Sequence, residues 1–139
     1  MSILVVGATG FVGGQVAEKL RRKGESVRAL VRGGEAHPKV QPLRAAGIEI
    51  VDGDLTVPET LESACRGMAT VVCTATSMPT GANDGLRRVD LDGTLALIEA
   101  AESAGVKRFV YTSYSGNIQI ASPFETAKRT CEILSLIHI

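Results

Sequence analysis

The chain has no tryptophan, and aromatic residues make up only 4% of its 139 residues. A base-stacking platform for single-stranded nucleic acid does not fit that composition. Neither sign of charge is in excess: 15 basic and 15 acidic residues leave a formal net charge of +0. A nucleic-acid footprint needs a basic excess, so no nucleic-acid partner is expected. The 3 cysteines, Cys65, Cys73 and Cys131, are odd in number, widely spaced and free of any CxxC pair. A disulfide framework or zinc site is not expected; each thiol reads as a small buried hydrophobe in a reducing compartment. No apolar run is long enough to span a bilayer. Met1-Ser2 leads straight into Ile3-Leu4-Val5-Val6, without the basic segment of a signal peptide. The expectation is a soluble, cytoplasmic protein without a membrane partner.

What is present alternates. Ile3–Val6 is a short, wholly apolar run, as a strand buried on both faces should be. Val12, Val16 and Leu20 then recur at helical spacing up to Gly24, which predicts an amphipathic helix. Strands are predicted at Ser26–Val31, Ile48–Val51, Thr70–Thr74 and Arg108–Thr112. Helices fall between them: a short one at Gln41–Ala46, one opened by the capping box Thr56-Val57-Pro58-Glu59, and a longer one over Leu86–Ser103. Ser122-Pro123 starts a last helix with a Ser cap. Repeated strand–helix units mean right-handed crossovers and a parallel sheet. The predicted fold is an α/β Rossmann-type doubly wound sheet of order 3-2-1-4-5, truncated before its final strands.

Gly7-Ala8-Thr9-Gly10-Phe11-Val12-Gly13 sits directly between a strand and a helix. Gly7 permits the tight exit from the strand. Gly10 lets a pyrophosphate approach the backbone, and Gly13 lets the helix press on the sheet. The amides and dipole of the helix start favour the anion. The motif therefore predicts binding of NADP or NAD.

An NAD site places a carboxylate at the end of the second strand. Here that end reads Leu30-Val31-Arg32-Gly33. Arg32 can clamp a 2′-phosphate, which predicts NADP(H) over NAD(H). Arg28 is a lesser candidate for assisting it. Asp54 either accepts from the adenine amino group or caps the following segment, and Leu55 would line the adenine pocket. Thr74, Ala75 and Thr76 leave strand four with small side chains, which admits the ribose or only marks a tight crossover.

Taken together, Ile3–Gly14, Val27–Arg32, Gly53-Asp54-Leu55, Val89–Thr94 and Arg108–Ser113 resemble the atypical short-chain dehydrogenase/reductases of NmrA-like, isoflavone-reductase-like type. The resemblance covers about residues 1–133. It implies cofactor contacts from Gly7, Thr9, Gly10, Phe11, Val12, Gly13, Arg32, Asp54 and Leu55, and an active-site role for Ser113. Ordinary members carry Tyr-x-x-x-Lys. The matching stretch here is Phe124-Glu125-Thr126-Ala127-Lys128. Lys128 is present as a cofactor-ribose donor and candidate acid/base, but Phe124 cannot donate a proton. Tyr114 is a candidate substitute acid, whereas Tyr111 reads as core. Asp90 stands where many extended members have Asn.

The resemblance implies an NADPH-dependent oxidoreductase acting on an unnamed small molecule. The alternatives are a non-catalytic NADP-binding regulator, or a nucleotide-sugar epimerase or dehydratase, against which Phe124 argues. The pattern leaves the oligomeric state open. Leu134–Ile139 does not continue the family pattern and matches the translation of a transposase sequencing adapter. Residues 134–139 are therefore expected to be a non-native tail, and the chain an N-terminal piece that is inactive by itself.

Overall fold

The computed structural model describes residues 1–77, 86–113 and 122–138. The strands are β1 (Ser2–Val6), β2 (Ser26–Val31), β3 (Glu49–Asp52), β4 (Thr70–Cys73) and β5 (Arg108–Tyr111). The helices are α1 (Phe11–Arg22), α2 (Gln41–Ala45), α3 (Leu61–Cys65), α4 (Thr94–Ser103) and α5 (Pro123–His138). A π-helical segment, Leu86–Gly93, leads into α4. All strand pairs are parallel, in the order β3-β2-β1-β4-β5. The Rossmann-type sheet is therefore as the alternating pattern predicts.

The apolar run of β1 serves two cores at once, because successive side chains on a strand point to opposite faces. Leu4 and Val6 join Leu30, Leu61, Val71, Cys73, Leu97 and Ala101 on one face, under α3 and α4. Ile3 and Val5 join Val27, Ala29, Val31, Val40 and Leu43 on the other, with Ala17 of α1. Fully burying each such Val or Leu contributes about 1.5–3 kcal/mol, so the middle strand anchors both layers. Tyr111 packs against the first core. All three cysteines are free thiols and buried. Burial pushes the Cys65 and Cys73 thiols up to about 11.

Several local expectations are corrected. The buried stripe of α1 runs through Gly13 and Ala17, while Val12 is 54% exposed. The helix is rotated about one residue from the Val12–Val16–Leu20 face, because Gly13 must meet the sheet and a valine cannot. The Thr56 capping box does not form. Pro58 opens a 3₁₀ turn, Pro58–Thr60, and α3 begins only at Leu61 with no side-chain cap. The predicted helix over 86–103 starts as a π-helix rather than an α-helix. The Ser122 cap does form: its Oγ accepts the Glu125 N–H at 3.1 Å.

Candidate functional site

The glycine turn is set by steric fit. Gly7 leaves β1 at φ +92°, and a Cβ there would lie 2.6 Å from Thr74 Oγ1 and 2.8 Å from Ala75 N. A Cβ on Gly13 would collide with the Gly7 carbonyl. The start of α1 is thus pressed against the ends of both β1 and β4. The Gly10 N–H donates to the Gly7 carbonyl at 3.0 Å and closes the turn. Gly10 caps α1 without any side-chain hydrogen bond, and the first turn holds no acidic residue. The amides of that turn have no intrahelical acceptors, and no carboxylate neutralises the positive end of the dipole. An anion such as a pyrophosphate fits there.

The turn opens onto a cleft of about 680 Å³, a volume typical of small-ligand and cofactor sites. Gly7, Thr9, Gly10, Phe11, Val12 and Gly13 line one wall. Arg32, Asp54 and Leu55 line the side toward β2 and β3, and Thr74, Ala75 and Thr76 the side toward β4. Every cofactor residue read from the sequence except Lys128 therefore shares one cleft. Phe11, 84% exposed, puts an apolar surface at its rim. Sequence reasoning missed Val6, Leu30, His37, Ser77 and Val89, which also line it. Nothing in their local pattern sets the strand residues apart from ordinary core.

On the β2 side, Arg32 is exposed and makes no hydrogen bond or ion pair among the described residues. Arg28 does not assist it. Its guanidinium bonds Glu49 Oε2 and the Ala64 and Arg66 carbonyls, each at 3.0 Å, and so ties β2 to β3 and α3. Asp54 accepts from the Thr56 N–H and hydroxyl, both at 2.8 Å. These bonds close a local turn and cap neither the 3₁₀ turn nor α3, and Asp54 still faces the cleft. Burial works to raise its pKa. The two Thr56 bonds and the nearby Arg32 and Arg88 outweigh that and hold the carboxyl below its ordinary value.

The β4 side is built from paired charges. Asp90, on the π-helical segment, is fully buried, and Lys128 of α5 is only 3% exposed. Lys128 Nζ lies 3.7 Å from Asp90 Oδ1. It also sits 4.7 Å from the Tyr111 ring centroid and 5.5 Å from that of Phe124, within cation–π range. Asp90 Oδ2 accepts the Ser77 N–H at 2.9 Å and the Ser77 hydroxyl at 2.6 Å. Lys128 does not line the cleft. The Tyr111 hydroxyl is buried beside the Cys131 thiol, and burial, with the Cys131 and Cys73 thiols next to it, pushes its pKa upward. Ser113 is exposed past the end of β5, its hydroxyl donating to Glu132 Oε2 at 3.2 Å. Tyr114 lies outside the described residues.

Fold and turn together define an NAD(P)-binding domain of the reductase and epimerase type. The chain belongs to the NmrA-like family, whose model matches residues 1–129. It is 44% identical over 119 residues to the photosystem II assembly factor Ycf39 of Trieres chinensis, covering 86% of this chain and 36% of that protein. The chain thus spans about a third of that relative's length. It superposes on the Citrobacter triphenylmethane reductase complexed with NADP(H) at a TM-score of 0.76 and 27% identity, covering 98% of this chain and 45% of that one. It also superposes on a short-chain dehydrogenase/reductase superfamily protein from Agrobacterium tumefaciens with bound NAD, at 0.76 and 29% identity, covering 99% and 45%. Among the described residues no helix is long and apolar enough to cross a membrane.

Proposed function

We propose that this chain is the NADP(H)-binding part of an NmrA-like oxidoreductase that acts on a small molecule. The observation that carries the reading is Arg32. It is an exposed cation on the cleft, without an ion-pair partner among the described residues, beside an uncapped glycine turn. A fork of donors in that position suits a 2′-phosphate. The amides of α1 hold the pyrophosphate, and Leu30 and Leu55 give the adenine an apolar seat. A bound nicotinamide would supply or take a hydride at the β4 side. Phe11 and Val12 put exposed apolar surface at the rim. The buried, free thiols support a cytoplasmic, reducing setting.

A second reading has an observation of its own. Phe124 offers no proton, and Lys128 is buried against Asp90 rather than open to the cleft. A regulator that binds NADP(H) without turning it over needs neither group. The reductase among the structural neighbours supports the first reading, and the assembly factor among the relatives supports the second.

The test is a titration of the intact protein with NADPH and NADH, alongside Arg32→Ala. A charge-assisted hydrogen bond contributes about 1.5–3 kcal/mol, so wild type should prefer NADPH by about tenfold to a hundredfold, and Arg32→Ala should lose that preference. Equal affinities in wild type would reject the NADP assignment. NADPH oxidation with a panel of small acceptors separates oxidoreductase from regulator.

A further inference from the structure

The buried pair on the β4 side is unusual in how many elements meet there. The segment carrying Asp90 is π-helical throughout, Leu86–Gly93, and such windings concentrate at functional sites. They leave carbonyls without α-helical partners. The Thr94 hydroxyl donates to the Val89 carbonyl at 3.2 Å, and the Cys131 thiol of α5 donates to the Asp90 carbonyl at 3.3 Å. Val89, next in sequence to Asp90, lines the cleft, as does Ser77. A fully buried carboxylate therefore bonds a cleft residue through one oxygen and faces an enclosed ammonium across 3.7 Å with the other, an ion pair without a hydrogen bond. It is far costlier to bury than an amide would be, and packing alone does not need a charge there.

We propose that Asp90 is a positioning residue for the β4 side of the cleft. Its Oδ2 holds Ser77 at the cleft wall by two hydrogen bonds, its Oδ1 faces the Lys128 ammonium at ion-pair distance, and together they tie the chain after β4 to α5. Phe124 then has a use that its lost hydroxyl does not touch: with Tyr111 it walls the ammonium. The nucleotide part of this proposal rests on the NADP(H) reading above; the coupling of Ser77, Asp90 and Lys128 does not.

The experiment compares Asp90→Ala, Asp90→Asn and Asp90→Asn/Lys128→Met with wild type, in the intact protein. Without nucleotide, the Ser77 amide should exchange its hydrogen about tenfold faster in Asp90→Ala than in wild type, as loss of a bond to a charged acceptor implies. Asp90→Asn keeps a carbonyl acceptor and should hold exchange within about threefold of wild type. The double variant should melt above Asp90→Asn, because removing the ammonium relieves a stranded buried charge. With nucleotide, Asp90→Ala should bind NADPH about tenfold more weakly than Asp90→Asn. Unchanged Ser77 exchange in Asp90→Ala overturns the proposal, as does a double variant that melts no higher than Asp90→Asn. Equal NADPH affinity in Asp90→Ala and Asp90→Asn does so too, provided wild type binds. If Asp90→Ala does not fold, the melting comparison decides. If wild type binds no dinucleotide, the functional reading falls while the exchange and melting results still judge Asp90.

Discussion

The two sides of the cleft treat charge in opposite ways. Toward β2, Arg32 is exposed without an ion-pair partner among the described residues, and the α1 amides beside it have no side-chain cap. Toward β4, Asp90 and Lys128 are buried and spend their charge on each other and on Ser77. A cation left unpaired beside an open helix start is available to an external anion. One enclosed with a carboxylate and two rings serves the protein's own geometry. On the proposed reading, the same residue class serves ligand recognition on one side and internal order on the other.

Substitutions can break this contrast, beginning with the largest expected effect. Lys128→Met strands the Asp90 carboxylate in the interior and should cost about 3–5 kcal/mol of stability in urea unfolding. A loss near zero would show that the pair is not electrostatically coupled. Gly13→Ala drives a methyl group into the Gly7 carbonyl. The helix must then lift from the sheet, at a cost of about 1–3 kcal/mol, with dinucleotide binding lost in the same protein. Wild-type affinity in that variant would mean that the turn does not hold the pyrophosphate. Arg32→Ala should leave unfolding within about 0.5 kcal/mol of wild type while abolishing NADPH preference. A destabilised Arg32→Ala would erase the contrast from the other direction.

The smallest effects are in pH, and they separate the sides again. Asp54 has a folded pKa below its ordinary 3.8. Its contribution to stability is present above 3.8 and lost as pH falls through the lower folded value. Asp54→Asn should flatten the acid limb of a stability–pH profile. Near β4, full burial pushes Cys73 up to about 11 from 9.0. Below pH 9 that thiol is neutral in both states. Between about 9 and 11 the unfolded chain releases its proton first, so stability falls as pH rises. Cys73→Ala should reduce that alkaline loss, and an unchanged limb would contradict the assignment.

Much of the β2 side was legible in sequence, because its signals are local. Gly7, Gly10 and Gly13 are spaced for one turn between one strand and one helix, and Arg32 follows at the end of the next strand. On the β4 side Thr74, Ala75 and Thr76 were readable as cleft residues, but the buried network behind them was not. Asp90 registered only as a departure from a family pattern, and Ser77 not at all, although an Asp between Val89 and Leu91 was a visible oddity. Their meeting with Lys128 depends on three segments that are distant in sequence. Asp54 shows the boundary between the two cases: its position at the cleft was readable, while the bonds of its Oδ1 to Thr56 became visible only in the folded chain.

From the sequence alone follow the alternation of strand and helix, the parallel order β3-β2-β1-β4-β5 and the anion-ready turn. Each rests on side-chain periodicity, chain handedness or the steric freedom of glycine, all of which act within a few residues or one crossover. Tertiary packing decided which stripe of α1 faces the core and which cation remains open to a ligand. It also decided which carboxylate is enclosed. Burial and charge pairing are properties of the assembled interior: Lys128 and Arg32 are both ordinary cations in the chain, and only the elements packed around each give one a buried partner and the other an open cleft.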